Sequence, residues 1–289
     1  MTHSTHDRER PAGGSSPGVR TRAHADVDGR TPWPLGVPAA VAIAFLLLPL
    51  VGMVVLAPWR DLPRILAETQ AVQALRLSLV TATVTTVVSV VIGVPLAWVL
   101  ARSRWRGIGV LRAFVTLPLV LPPVVGGVAL LLAYGRTGLV GRWLYTWTGY
   151  QIPFTTTAVV LAQTFVAMPF LVVTVEGALR SADAGFEEAA ATLGSRRFAT
   201  FRRVTLPLVA PSLAAGSILC WARALGEFGA TITFAGNLPG VTQAMPSAVY
   251  RAFERDPRSA VALSLVLLTV SVTVLVLLRD RWLRPGTTL

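Results

Sequence analysis

Residues 187–207 read Glu187-Glu-Ala-Ala-Ala-Thr-Leu-Gly-Ser-Arg-Arg-Phe-Ala-Thr-Phe-Arg-Arg-Val-Thr-Leu-Pro207, a polar segment set between two long apolar runs. Asp183 stands where a helix N-cap belongs. Phe186, Ala189, Ala190 and Leu193 then fall at i, i+3, i+4 and i+7, which gives a short helix one apolar face. The alanines keep that face thin, so another backbone can approach closely. Gly194 is the residue type that ends a helix in a left-handed C′ conformation. Arg196, Arg197, Arg202 and Arg203 flank Phe198 and Phe201, and Pro207 opens the next apolar run near its first turn. Periodicity alone leaves two readings open, because one apolar stripe suits both a helix docked in a partner's groove, with Glu188 as a fixed charge at the contact, and a helix lying on lipid headgroups.

The surroundings of this segment are made for a bilayer. The chain has 289 residues, 53% of them hydrophobic and only 14% charged, and its mean hydropathy is +0.63. A soluble domain of this size carries roughly a quarter charged residues. Apolar runs near 38–57, 75–101, 111–134, 157–178, 206–235 and 259–278 reach or approach the ~20 residues of a spanning helix. Six transmembrane helices are expected in an all-α integral membrane protein. Pro95, Pro118, Pro122, Pro123 and Pro169 interrupt these runs, which membrane helices tolerate when neighbouring groups re-satisfy the freed carbonyls. The first run follows a polar stretch too long for a signal peptide, and Pro58 follows the small residue Ala57, so a retained helix is expected.

All 26 basic side chains are arginine, and the net charge is +12. Segments 1–37, 102–112, 180–205 and 279–289 hold seventeen arginines, and 58–76, 135–156 and 236–258 hold eight. Positive-inside topology then places both termini and the 187–207 segment in the cytoplasm. It also accounts for the basic balance without nucleic acid. Trp143, Tyr145, Trp147 and Tyr150 form an aromatic belt in an outer loop. Residues 1–34 have the composition of a disordered tail. His3, His6 and His24 all lie there, and a floppy tail is a poor metal cage, so no metal site is expected. Cys220 stands alone inside an apolar run and reads as a small buried hydrophobe.

The pattern Glu188-Ala189-Ala190, Gly194, Val204-x-Leu206-Pro207 resembles the EAA loop of ABC-transporter permease subunits of the importer type. The resemblance implies a type I importer permease fold, N-in and C-in, whose five-helix core covers residues 71–280 with the coupling loop at 180–207. Residues 1–34 would be a cytoplasmic tail, 35–70 an added first helix and outer loop, and 281–289 a second tail. It implies that Phe186, Glu188, Ala189, Ala190, Leu193 and Gly194 meet an ATPase subunit. The implied partners are two copies of that ATPase, an extracytoplasmic oxyanion-binding protein, a second copy of this chain and membrane lipid. No cofactor is expected on this chain, ATP-Mg being carried by the ATPase. The setting is the cytoplasmic membrane of a prokaryote. Val204 departs slightly, standing where isoleucine is common. The stretch Arg223–Asn237, with Leu238-Pro-Gly-Val-Thr-Gln-Ala-Met-Pro246 after it and Leu121-Pro-Pro-Val-Val-Gly-Gly127 before it, resembles the permeases of molybdate importers, with tungstate included. Sulfate and thiosulfate permeases share much of the wording.

Inside the spans, Arg223 and Glu227 stand at i,i+4. Two readings apply, a self-neutralised structural or gating pair and a polar wall of the translocation path. Thr231 and Asn237 are further candidates for that path or gate. Glu176 sits near the end of its span, where charge is cheap, and is expected to need no special role. Gly226, Gly229, Gly236 and Gly240 lack the Gly-Lys-Ser/Thr of a phosphate loop, so no nucleotide site is expected. With no histidine or carboxylate cluster in the spans, a membrane enzyme lacks candidate catalytic groups. A scaffold that only anchors partners leaves the polar positions in the spans without purpose.

Overall fold

Bilayer-spanning helices must pack on each other without a water-driven hydrophobic force, so small residues and hydroxyls go inward and large apolar ones go out. The computed structural model describes residues 33–183 and 185–282. Of the tail expected at 1–34, residues 1–32, with the three histidines, lie outside the described residues, as do 283–289. The chain divides into two units, 1–49 and 50–289. In the first, residues 37–49 of helix α1 (Trp33–Val55) present exposed side chains such as Val41, Phe45 and Leu48, as a lipid-facing helix does.

The second unit is built on α3 (Thr69–Arg102), preceded by the short α2 (Leu62–Ala67). The inward stripe of α3 is Ala74, Ser78, Thr81, Ala82, Thr85, Ser89, Gly93, Ala97 and Leu100, all buried. Its outward stripe is Val80, Val84, Val87 and Val91, all exposed. α3 packs on α7 (Thr156–Ser181), and both pack on α10 (Leu206–Leu225). The three converge at Leu171, where a Cβ on Gly93 of α3 would lie 3.1 Å from Leu171 Cδ2 and one on Gly216 of α10 would lie 3.3 Å from Leu171 Cα. Several hydroxyls of these helices are satisfied locally. Thr81 donates to the Leu77 carbonyl at 2.8 Å, and Thr174 to that of Phe170 at 2.7 Å. Others reach across helices, as when Thr85 donates to Gln163 Oε1 at 3.1 Å. Cys220 is buried and free, as its apolar setting implied.

Two expected spans are broken. The run read as one helix over 111–134 is α4 (Ile108–Val120) and α5 (Pro123–Tyr134), bent by 119°. Pro122 and Pro123 supply no N–H, and each pushes the residue before it out of the helical region, with Leu121 at ψ 131° and Pro122 at ψ 129°. The run read over 206–235 ends as α10 at Leu225 and resumes as α11 (Gly229–Phe234). The described helices therefore include five long and apolar enough to cross a membrane, or six if the bent pair counts as one span.

The two broken pieces support each other. A Cβ on Gly127 of α5 would come within 2.7 Å of Thr233 Cβ and 2.9 Å of the Ala230 carbonyl oxygen, and one on Gly229 within 2.9 Å of Pro123 Cβ. Glycine is required here by close approach of α5 to α11. Between α5 and α7 lies α6 (Gly141–Thr148), where Trp143 and Trp147 are exposed and Arg136 sits over the Tyr145 ring at 4.2 Å, an arrangement suited to a headgroup layer. The remaining elements in this part of the chain are α12 (Met245–Phe253), whose first N–H donates to Ser78 Oγ at 2.6 Å, and α13 (Pro257–Trp282). Asp256 caps α13. The Ser259 hydroxyl and the Arg258 N–H hold its carboxyl below the usual carboxylate range. That cap is fully present at neutral pH and is lost only as pH falls through the lowered value.

Gly127→Ala should lower the thermal stability of the detergent-solubilised protein by about 1–3 kcal/mol, the usual cost of overpacking. Gly177→Ala, where an added Cβ meets nothing within 4 Å, should leave it unchanged or raised. Equal melting temperatures for the two variants would show that the α5–α11 contact is not tight.

Candidate functional site

The segment after α7 folds as its residues dictate. Asp183 Oδ1 accepts the Gly185 N–H at 2.8 Å at the head of α8 (Gly185–Thr192). Gly194 has φ +80°. The Gly194 N–H donates to the Ala191 carbonyl and the Ser195 N–H to that of Ala190, both at 3.0 Å, which is a Schellman stop. A further turn, α9 (Arg197–Thr200), runs into a π-helical turn, Phe201–Thr205, whose register is set by the Leu206 N–H donating to the Phe201 carbonyl. Pro207 then sits in the first turn of α10, where its missing N–H costs nothing.

The expected apolar stripe is open to solvent. Phe186 is 57% exposed and Leu193 89%, and outside the stripe Phe198 of α9 is 75% exposed. Ala189 is exposed and Ala190 half-buried, and Glu188 is exposed with no ion pair among the described residues.

The neighbouring carboxylate behaves differently, and sequence reasoning missed it. Glu187 turns inward, and its Oε1 accepts from Arg102 Nη2 at 2.9 Å and from Thr205 Oγ1 at 3.0 Å. These partners come from the last turn of α3 and from the π turn. Trp98 of α3 meets Phe201 of the π turn edge-to-face, with ring centroids 6.3 Å apart. Adjacent residues on a helix point about 100° apart, so the Glu187-Glu188 doublet carried a signal that one carboxylate faces in and one out.

The expectation that Glu176 needs no special role is overturned. It is buried, it accepts from Arg112 Nε at 2.8 Å, and it pairs with Arg180 at 3.3 Å. Arg112 also donates to the Leu100 carbonyl at 3.2 Å, so one guanidinium ties α4 to both α3 and α7. A carboxylate this buried is tolerated because two arginines meet it.

Deeper in the bundle, Arg223 and Glu227 form the expected pair, with Arg223 Nη2 2.5 Å from Glu227 Oε2. Glu227 is 1% exposed, and its other oxygen accepts the Ala230 N–H at 2.8 Å, which starts α11. The pair thus sits at the helix break, not within a continuous helix as the sequence suggested. The Thr231 hydroxyl is buried and without a hydrogen-bond partner, and so is Asn237 Oδ1 in the loop after α11. Among the described residues no hydrogen bond joins Thr231 or Asn237 to the Arg223–Glu227 pair. No group of three metal-ligating side chains occurs among the described residues.

Residues 89–288 match the family model described as the binding-protein-dependent transport system inner membrane component. The chain is 51% identical over 237 residues to the molybdenum transport system permease protein ModB of Mycobacterium tuberculosis, covering 82% of this chain and 89% of that protein. It is 35% identical over 245 residues to the sulfate transport system permease protein CysT of Escherichia coli, covering 83% and 88%. Its fold matches that in the crystal structure of a bacterial ABC transporter involved in the import of the acidic polysaccharide alginate, with a TM-score of 0.67 at 16% identity, over 86% of this chain and 94% of that one.

Arg223→Leu should cost about 3–5 kcal/mol by stranding the buried Glu227 carboxylate. It should appear as a sharp drop in monodisperse protein extracted in detergent. The double variant Arg223→Leu/Glu227→Leu should recover much of that yield. An Arg223→Leu protein as stable as the parent would show that the pair does not hold the break.

Proposed function

This chain belongs to the family of binding-protein-dependent transport system inner membrane components, and from that membership we propose that it is the membrane-spanning permease subunit of an ATP-driven importer of molybdate, with tungstate handled alike. The observation that carries the cargo is the 51% identity to a molybdenum permease across 82% of this chain, against 35% to a sulfate permease. Sulfate or thiosulfate import is the second reading, and the same sulfate match favours it.

The proposed topology has six spans, counting the bent α4–α5 pair as one, with both termini in the cytoplasm. The seventeen-to-eight arginine asymmetry supports this orientation. The permease domain is taken as residues 71–280, flanked by the helix and loop of 35–70 and by tails at 1–34 and 281–289. Two copies related by a two-fold axis enclose the path and present two α8 helices to two ATPase subunits.

An extracytoplasmic binding protein delivers the anion. ATP, held with Mg on the partner ATPase, closes the ATPase pair and moves α8, and the path opens outward by alternating access. The exposed Phe186–Ala189–Ala190–Leu193 stripe suits a partner's cleft, and burying Phe186 and Leu193 there contributes about 1.5–3 kcal/mol each at most. Glu188 beside them gives the contact a fixed charge, and Gly194 ends the helix where the chain must turn back. Arg223, Glu227, Thr231 and Asn237 stand as candidates for the path or gate, Thr231 and Asn237 because each keeps a buried polar atom unpartnered. The path itself needs only weak affinity, since a tight site would not release the anion.

Glu188→Lys should insert and fold normally, because that side chain is exposed, yet lose stimulated ATP hydrolysis and uptake in proteoliposomes containing the ATPase and binding protein. Uptake at the parental rate would remove the docking role. In the same proteoliposomes, excess molybdate or tungstate should abolish labelled molybdate uptake while equimolar sulfate leaves it intact. Equal competition by sulfate would move the assignment to the second reading.

A further inference from the structure

The outward face of α8 suits a partner, but a helix pushed by a partner does work only if it is fastened to the spans. Phe186, Glu188 and Leu193 provide no such fastening, since all three are exposed. Among the described residues, every side-chain hydrogen bond or ion pair from α8 to another element ends on one atom, Glu187 Oε1. That oxygen receives a guanidinium from the last turn of α3 and a hydroxyl from the π turn that heads α10. Both bonds are near 3 Å, and both partners are drawn out of bulk water: Thr205 is 2% exposed, and the Arg102 side chain 20%. A charge-assisted bond in such a setting resists sliding more than a solvent-exposed pair does.

The fastening continues beyond Arg102. α3 is held at its Leu100 carbonyl by Arg112 of α4, and Arg112 holds Glu176 of α7. On the far side, the π turn closes its bonds over one residue more than an α-helix does, a geometry frequent at functional sites. Thr205 lies at the end of that turn and bonds to Glu187 instead of to a carbonyl of its own helix.

We propose that Glu187 is a positioning residue of the transport cycle. It locks α8 to the end of α3 and to the π turn, so that a displacement of the docked helix reaches the spans. This rests on the reading that α8 receives the ATPase, and its failure is separable from failure of that reading. Glu188 governs whether the ATPase responds to the permease at all, whereas Glu187 governs how much transport each ATP hydrolysed produces.

The test uses the full chain reconstituted with its ATPase and binding protein, measuring three quantities in parallel: co-purification of the ATPase, ATP hydrolysis, and anion uptake. Glu187→Gln keeps the shape and removes the charge. Co-purification and hydrolysis should persist while uptake per ATP falls about tenfold, as expected for losing one charge-assisted bond. Thr205→Val should give a smaller fall in the same ratio. The exchanged pair Arg102→Glu/Glu187→Arg should restore most of the ratio, a rescue that a merely destabilised protein does not show. Parental uptake per ATP in Glu187→Gln overturns the proposal, as does loss of ATPase co-purification in Glu187→Gln that the exchanged pair fails to restore. If Glu188→Lys retains full coupling while Glu187→Gln loses it, the docking role of Glu188 fails and the fastening stands.

Discussion

The bond between Glu187 and Arg102 joins a helix shaped for water to a helix shaped for lipid. α8 is short, polar on one side and thinly apolar on the other. α3 is 34 residues long, with valines outward and alanines, serines and threonines inward. Neither element alone has a reason to hold the other. The carboxylate that links them survives away from bulk water because Arg102 and Thr205 both satisfy it. The same constraint recurs at Glu176 with Arg112 and Arg180, and at Glu227 with Arg223 and the Ala230 N–H. In each case burial is tolerated because the charge is met by an arginine, which a lysine-free chain supplies everywhere.

A second constraint shapes the breaks. A polar backbone group facing hydrocarbon without a partner costs several kcal/mol, so irregular backbone at membrane depth must lie against protein. α5 and α11 both begin at breaks, and they lie against each other with glycines at the contact. Glu227 then starts α11 by accepting its N–H and neutralises Arg223 at the same point. Glycine packing, a capped break and an ion pair thus converge where the chain leaves helical geometry.

Much of this was legible in the residues because the signals are local. The Gly194 stop, the Asp183 cap, the open Phe186–Leu193 face and the Arg223–Glu227 pair each depend on residues within one or two turns. What was hidden depends on distant partners. Which of Glu187 and Glu188 faces inward is decided by Arg102, 85 positions earlier, and Glu176 owes its burial to Arg112, 64 positions away. The prolines at 122 and 123 announced an interruption. Their 119° bend sets α5 against α11, a contact that periodicity in the 111–134 run does not encode. The break at Gly226–Phe228 was hidden for a related reason. An apolar run reads as continuous until a carboxylate within it turns back to cap the next helix.

The open face of α8 is proposed to lie on the cytoplasmic side and to be covered by an ATPase. Labelling a Leu193→Cys protein with a membrane-impermeant maleimide checks both statements at once. Cys220 is the chain's one native cysteine and is fully buried, so background labelling is low. In inside-out vesicles Leu193→Cys should label readily and become protected when the ATPase binds, and in right-side-out vesicles it should stay unlabelled. Labelling from the outer side would place α8 outside the cell, and labelling in inside-out vesicles that bound ATPase leaves unchanged would show that the ATPase does not cover this face.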